Sequence, residues 1–275
     1  MTASFLIFPL LGWCSNAHQR PGAGELRREK DYIERISAAV GVRLCENTEL
    51  STRGKVCFLE AEPLAASVGI AAMRREGQSV SGDTGTYFKT DEGVLCVILS
   101  DGMGSGERAA AESAEAASLL EGFLKSGVRP ELAMKLLSSV MTLRGEETMG
   151  AATADLMCIN LFSGSTGIYK FGAAPTYLYR GGKVKKVSGE SFSAGVGGFS
   201  APDRTELTMK AGSVAVIVSD GVSADRDDEW LCRIISDSEW ESPRALARAI
   251  VEKASALHGA SDDMTVLAVA VSERR

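Results

Sequence analysis

Histidine is almost missing: the 275 residues contain two, His18 and His258, and neither stands in a motif. That removes most zinc hydrolases, phosphotransfer through a histidine and Ser-His-Asp triads together, because each needs an imidazole as ligand, nucleophile or base. Cysteine is sparse and scattered, at Cys14, Cys45, Cys57, Cys96, Cys158 and Cys232, with no CxxC pair. Neither a disulfide framework nor a zinc site is indicated. Cys57, Cys96 and Cys158 fall inside apolar runs, where cysteine acts as a small hydrophobe. Cys14 and Arg20 share the spacing of a phosphate-binding cysteine loop, but the preceding His and the glycines such a loop needs are missing, and the match is read as chance. A basic excess is lacking too: 30 Lys and Arg against 36 Asp and Glu leave a net charge of -6, which excludes nucleic acid as a partner.

Long apolar runs are also wanting. The opening ASFLIFPLLGW, residues 3–13, is broken by Pro9 and has no Lys or Arg before it, so it is too short for a bilayer span and lacks a signal peptide's charged start. A buried or frayed N-terminal segment is expected in a cytoplasmic protein; the alternative is a vestige of an upstream membrane-associated region. With 45% hydrophobic and 24% charged residues, the chain has the composition of a globular protein with one main core.

Residues 25–40 predict an amphipathic helix with Leu26, Ile33, Ile36 and Val40 on one stripe. Residues 1–54 are assigned to an N-terminal segment carrying this helix, and 55–275 to the main domain. The helix either packs on its own domain or serves as a regulatory, homodimer-forming element. Strands are predicted at 55–61, 65–73 and 93–100, with SVSGDTG (79–85) between the last two. Helices follow at 105–126 and from Pro130, the latter with Leu132, Leu136, Leu137 and Val140 on one face. Further strands are expected at 151–162, 166–172, 176–180, 183–187, 204–210 and 213–219, with a long loop over 188–203. Helices near 228–237 and over 243–257, the second with Leu246, Ile250 and Leu257 inward, precede a last strand, MTVLAVAV. Runs of adjacent strands alternating with helix pairs predict sheet packed on sheet with helices outside. A doubly wound parallel fold is the alternative.

Aspartate is what recurs at the ends of apolar runs. VILSDGMGSG (97–106) and VAVIVSDGV (214–222) end in the same Ser-Asp-Gly, Asp83 sits in SGDTG, and Asp262-Asp263 directly precede the last strand. Singly, each is ordinary turn chemistry. If the four points converge, each like-charge contact at about 4 Å costs about 4 kcal/mol at an effective dielectric near 20, so the cluster needs cations. Carboxylates and carbonyls without His or Cys suit Mg²⁺ or Mn²⁺. Two such ions about 3.5–4 Å apart acidify a water for in-line attack on a phosphate ester. Gly102 has no side chain to crowd its carbonyl from serving as a ligand. Asp155 and the run Asp225–Glu229 are weighed as a third cation site against a solvated strand start and helix beginning, and the solvated reading is preferred. Nucleotide binding by GMGSG ranks last, because Asp101 would repel a pyrophosphate and Glu107 replaces the third glycine.

The ordered set SVSGD, VILSDGMGSG with a following helix, FGAAPTYLYRGGKV, AGSVAVIVSDGV and SDDMTVLAV, over residues 64–272, resembles the type 2C family of metal-dependent serine/threonine phosphatases, and within it the sporulation branch of stage II sporulation protein E. The resemblance implies an α+β fold, a four-layer α-β-β-α sandwich, with two Mn²⁺ or Mg²⁺ ions in a cleft between the sheets. Carried onto this chain, Asp83 would hold the site through a metal or its water, Asp101 would bridge both ions, Gly102 would lend its carbonyl, and Asp220 and Asp262 would complete the shell. Asp263 stands where many relatives have Asn, which leaves open which of the pair is the ligand. Met103 replaces the His found in animal-type relatives, so the leaving-group acid is unassigned, and no early Arg is present to grip a phosphate. The implied substrate is a phosphorylated protein, an anti-anti-sigma-type regulator. A non-catalytic signalling module on the same fold is the alternative, although it would be expected to lose metal ligands that are intact here.

Overall fold

The structure is a computed structural model that describes residues 6–7, 31–51, 56–148, 151–196, 200–223, 228–237 and 240–274. Two compact units divide after Pro63, nine residues beyond the expected boundary at 54/55. The reason is a strand. β3 (Cys57–Glu60), expected in the larger domain, pairs antiparallel with β2 (Leu44–Glu46) and with β1 (Leu6–Ile7) in the first unit.

Within that first unit the N-terminal helix runs over Tyr32–Val40; the expected turns at 25–30, with Leu26, lie outside the described residues, as do Cys14, His18 and Arg20. Ile33, Ile36 and Val40 pack against Tyr32, Leu44, Val56 and Phe58, and the Tyr32 hydroxyl donates to the Glu46 carboxylate. The apolar stripe therefore has a sheet of its own to cover.

The second unit is the α-β-β-α sandwich. One sheet has the order β10-β9-β12-β13-β4 and the other β11-β8-β7-β6-β5, from β4 (Leu64–Met73), β5 (Asp83–Lys89), β6 (Val94–Asp101), β7 (Ala154–Asn160), β8 (Ser165–Phe171), β9 (Thr176–Arg180), β10 (Lys183–Val187), β11 (Asp203–Thr208), β12 (Val214–Val218) and β13 (Met264–Glu273). Among the described residues every strand pairing is antiparallel. That sets aside the doubly wound alternative, and with it a phosphate-binding βαβ turn at GMGSG.

The unbroken apolar runs follow from the layering. Alternate side chains of a strand face opposite ways, and here both ways are dry. In β6, Cys96 and Ile98 face the helices Glu107–Lys125 and Pro130–Thr148, meeting Leu120, Met134 and Leu137, while Leu95, Val97 and Leu99 face the other sheet. In β12, Val214, Val216 and Val218 face the second helix pair, Glu229–Ser236 and Pro243–His258, and Ala215 and Ile217 point between the sheets. Cys96 and Cys158 sit opposite each other on β6 and β7 as buried thiols in this apolar setting.

Three expectations are corrected. β5 was not expected: Gly85 and the glycines before it mask a Thr-x-Thr-x-Phe alternation at 84–88. The helix from Pro130 buries Ala133, Met134, Leu137 and Met141, leaving Leu132 and Leu136 exposed, because the stripe is rotated by about one residue from the leucines. Leu257 is 48% exposed while Ala254 is fully buried, since close approach of that helix to its sheet favours the smaller side chain.

Candidate metal centre

Each sheet sends strand ends to one edge of the sandwich. Asp83 opens β5, Asp101 closes β6, and the antiparallel register sets them directly opposite each other. From the facing sheet, Asp220 follows β12 and Asp262-Asp263 precede β13, whose pairing runs to Val218 opposite Val266. The four sequence-predicted points thus converge, and the charges of Asp83, Asp220 and Asp262 all bear on the Asp101 carboxyl.

Local bonds fix the geometry. The Asp101 N–H donates to Thr153 Oγ1 (3.0 Å), the Thr153 N–H donates to the Asp101 carbonyl (2.8 Å), and Ser100 Oγ donates to the Thr153 carbonyl (2.7 Å). Residue 102 must be glycine, because a Cβ there would lie 2.0 Å from the Ala109 carbonyl of the following helix. At Gly221 a Cβ would lie 2.1 Å from the Asp263 carbonyl, so the two strand ends can close only without a side chain.

Asp262 and Asp263 part company. Asp263 is buried, and its two oxygens accept from the Arg75 N–H (2.9 Å) and the Gly82 N–H (2.7 Å). It ties β4 and the start of β5 to β13. Among the described residues Asp262 accepts from the neighbouring Asp263 N–H alone, on Oδ1 at 2.9 Å, and its charge is felt at Asp101.

The electrostatics are those of an under-compensated cluster. Burial, followed by the charges of Asp83 and Asp220, pushes the Asp101 carboxyl up to about 8. Burial also raises Asp83 to about 6, with Ser219 and Thr265 offsetting part of the rise. Both Asp83 oxygens are buried, and among the described residues none of their neighbours, Ser219 and Thr265 included, donates to them in full hydrogen-bond geometry. Buried carboxylate oxygens are normally paired or coordinated, so an all-oxygen set with orphaned atoms and no imidazole or thiol fits a hard divalent cation. Among the described residues no three His, Cys, Asp or Glu side chains stand in an arrangement that would hold a metal ion by themselves.

Asp155 is neither a solvated strand start nor an open cation ligand. It is 1% exposed and ion-paired with Lys170, a partner β8 supplies and which no local motif advertises. Asp225–Asp227 lie outside the described residues; Asp228 accepts from the Tyr177 hydroxyl and from Lys186, so it braces the second helix pair. Met103 is 56% exposed, with its N–H bonded to the Ala151 carbonyl.

The family description of stage II sporulation protein E matches residues 91–272, more than half of the chain. The chain belongs to that family. A stage II sporulation protein E from Priestia megaterium is 31% identical over 219 residues, which are 77% of this chain and 37% of that protein. The SpoIIE-family chain thus spans about a third of the length of the curated relatives it matches. The structure of the PP2C phosphatase domain and a fragment of the regulatory domain of SpoIIE from Bacillus subtilis superposes with a TM-score of 0.75 at 27% identity, covering 90% of this chain and 76% of that one. The catalytic domain of the serine/threonine phosphatase PstP, solved with two manganese ions, shares the fold at TM-score 0.62 and 18% identity, over 76% of this chain and all of that one. The fold is therefore that of PP2C phosphatases. Among the described residues no helix is long and apolar enough to cross a membrane.

Proposed function

We propose that this chain is a metal-dependent protein serine/threonine phosphatase that hydrolyses phosphoserine or phosphothreonine in a regulator of the anti-anti-sigma type, acting in the cytoplasm or beside a membrane that an upstream region reaches. The observation that carries it is the apposition of Asp83 and Asp101 across β5 and β6, facing Asp220, with both Asp83 oxygens buried and unpartnered. Asp101, Gly102 through its carbonyl, Asp220 and Asp262 would hold two Mn²⁺ or Mg²⁺ ions, and Asp83 would complete the site directly or through water. When bound, such ions polarise a phosphoryl oxygen and lower the pKa of a water. Asp263, each of whose oxygens accepts a backbone N–H, keeps the strand ends together, and Asp262 would be the ligand of the pair. The exposed Met103 has no proton to give, and protonation of the leaving alkoxide falls to water.

Hydrolysis of a phosphoserine peptide by wild type and Asp101→Asn, with Mn²⁺ and with chelator, tests the reading. Turnover that needs Mn²⁺ and is lost in the variant supports it; no turnover and no bound ion with clean protein would establish the non-catalytic module instead. Homodimerisation through the N-terminal helix is a separate part of the proposal. Ile33, Ile36 and Val40 are only half-buried on their own sheet, and a mass by light scattering that is the same for wild type and Ile33→Asp would remove it.

A further inference from the structure

Asp155 on β7 and Lys170 on β8 are register partners, and each is 1% exposed. Lys170 Nζ donates to Asp155 Oδ2 and to the Ala174 carbonyl (2.6 Å), and the Thr176 hydroxyl donates to the same Oδ2 (2.9 Å). Among the described residues the donors thus converge on one oxygen; Oδ1 is equally buried and has none.

That asymmetry has a direction. Asp155 lines a narrow cavity together with Asp101, Thr153, Ala174, Ser219 and Asp220. The space in it for water-sized guests is about 10 Å³, on the scale of a single water molecule. With Oδ2 taken, Oδ1 is the atom Asp155 has left to offer a guest. Leaving a buried carboxylate oxygen unmatched is costly. A water there would donate to Oδ1 and present its oxygen, or its second hydrogen, to the metal centre.

We propose that Asp155 is a binding residue one water removed from the metal centre: Oδ1 accepts from a single water seated against Asp101 and Asp220, anchoring the hydration shell of a divalent cation held there. Lys170 is the positioning residue. It engages Oδ2, so that Oδ1 faces the cavity, and through the Ala174 carbonyl it fixes the turn that walls the cavity. The inference rests on the metal-centre reading above and adds a polar contact that no carboxylate at a strand end supplies.

Mn²⁺ titration calorimetry, with melting temperatures recorded in parallel, tests it on the full chain. In Asp155→Asn the amide oxygen can take over the Lys170 and Thr176 bonds, which turns an NH₂ donor towards the cavity where an acceptor is needed. Groups that support a metal through hydrogen bonds are worth about 10–100-fold in affinity, so Asp155→Asn is expected to bind Mn²⁺ weaker by that factor. The double variant Asp155→Asn/Lys170→Met, which removes both charges and leaves no buried ion alone, is expected to bind as weakly while melting above Lys170→Met. It carries the test if the single variant fails to fold. Mn²⁺ affinity within about twofold of wild type in Asp155→Asn, or recovered in the double variant, would overturn the proposal and leave a pair that only braces the fold. Asp101→Asn is the control: unchanged Mn²⁺ affinity there would overturn the metal-centre reading and this inference together, whereas loss there with none in Asp155→Asn overturns the inference alone.

Discussion

Two acidic sites, a buried one at Asp155 and a half-buried one at Asp101, lie a few residues apart on neighbouring strands, and the chain treats them in opposite ways. Asp155 meets Lys170 and Thr176. Asp101 meets Asp83 and Asp220, so burial and neighbours both push its carboxyl up. A protein selected only for stability would give both sites a cation of its own or an apolar replacement, because like charges crowded together and partly withdrawn from water are costly to hold. The contrast separates charge that the polypeptide neutralises by itself, at Asp155 with Lys170, from charge that it leaves for a ligand.

The largest effect should come from breaking the uncompensated site. Asp101→Asn and Asp220→Asn each remove a charged oxygen at the point where the two sheets meet, and no neighbour can replace it. Steady-state hydrolysis of a phosphopeptide with Mn²⁺ should fall at least about a hundredfold in either variant, the scale for losing a principal electrostatic group in a catalytic site. Rates near wild type would mean the cluster is not where the chemistry happens.

Breaking the compensated site should act on folding first. Lys170→Met strands Asp155 as a buried charge, and loss of one partner of such a pair costs about 3–5 kcal/mol. Denaturant unfolding should register that loss in Lys170→Met. Lys186→Met, which removes a partner of Asp228 at a partly exposed pair, should cost less than about 1 kcal/mol. Equal losses would show that the buried pair is not the special one.

How far the two sites could be read from sequence follows the same division. Asp101 and Asp220 were legible because each ends an apolar strand in Ser-Asp-Gly, and a repeated strand end points to a shared edge. The layers were legible from strand and helix grouping, and the unbroken apolar runs are explained by strands dry on both faces. β5 was not, since Gly85 and its polar neighbours hide the alternation. Neither was the Asp155–Lys170 pair: the partners are 15 positions apart, and only the β7–β8 register brings them together. The different surroundings of Asp262 and Asp263 were not legible either, since Asp263 holds backbone N–H groups at the ends of two other strands, β4 and β5.

The raised carboxyls make a further contrast measurable without turnover. Unfolded Asp titrates near 3.8, while Asp83 is pushed up to about 6 and Asp101 to about 8. The folded chain therefore binds more protons than the unfolded chain between these values, and its stability falls as pH rises through that window. In EDTA the melting temperature should drop from pH 5.5 to 8.5, and the drop should shrink in Asp101→Asn. Asp203 and Asp228, held below the ordinary range, lose their contribution only at lower pH and do not mask it. Added Mn²⁺ should restore more stability at pH 8.5 than at 5.5, since cations bind the deprotonated cluster. A flat profile in EDTA would show the cluster to be compensated within the chain, as Asp155 is.

The smallest effect is expected at Met103, two residues beyond Asp101 and next to Gly102. Its side chain is 56% exposed, and its anchoring bond to Ala151 runs through the backbone N–H, which survives substitution. A thioether has no proton to donate at any working pH, so it cannot serve as the leaving-group acid. Met103→Ala should stay within about twofold of wild type in kcat/KM, the range of surface substitutions that break no named interaction. Met103→His is the sharper partner, because it puts a proton donor beside the cluster with the backbone unchanged. A new alkaline limb in the pH profile of Met103→His, where the imidazolium loses its proton, absent from wild type and from Met103→Ala, would show that leaving-group protonation here is left to water. A loss in Met103→Ala as large as that in Asp101→Asn would instead place the side chain in the chemistry.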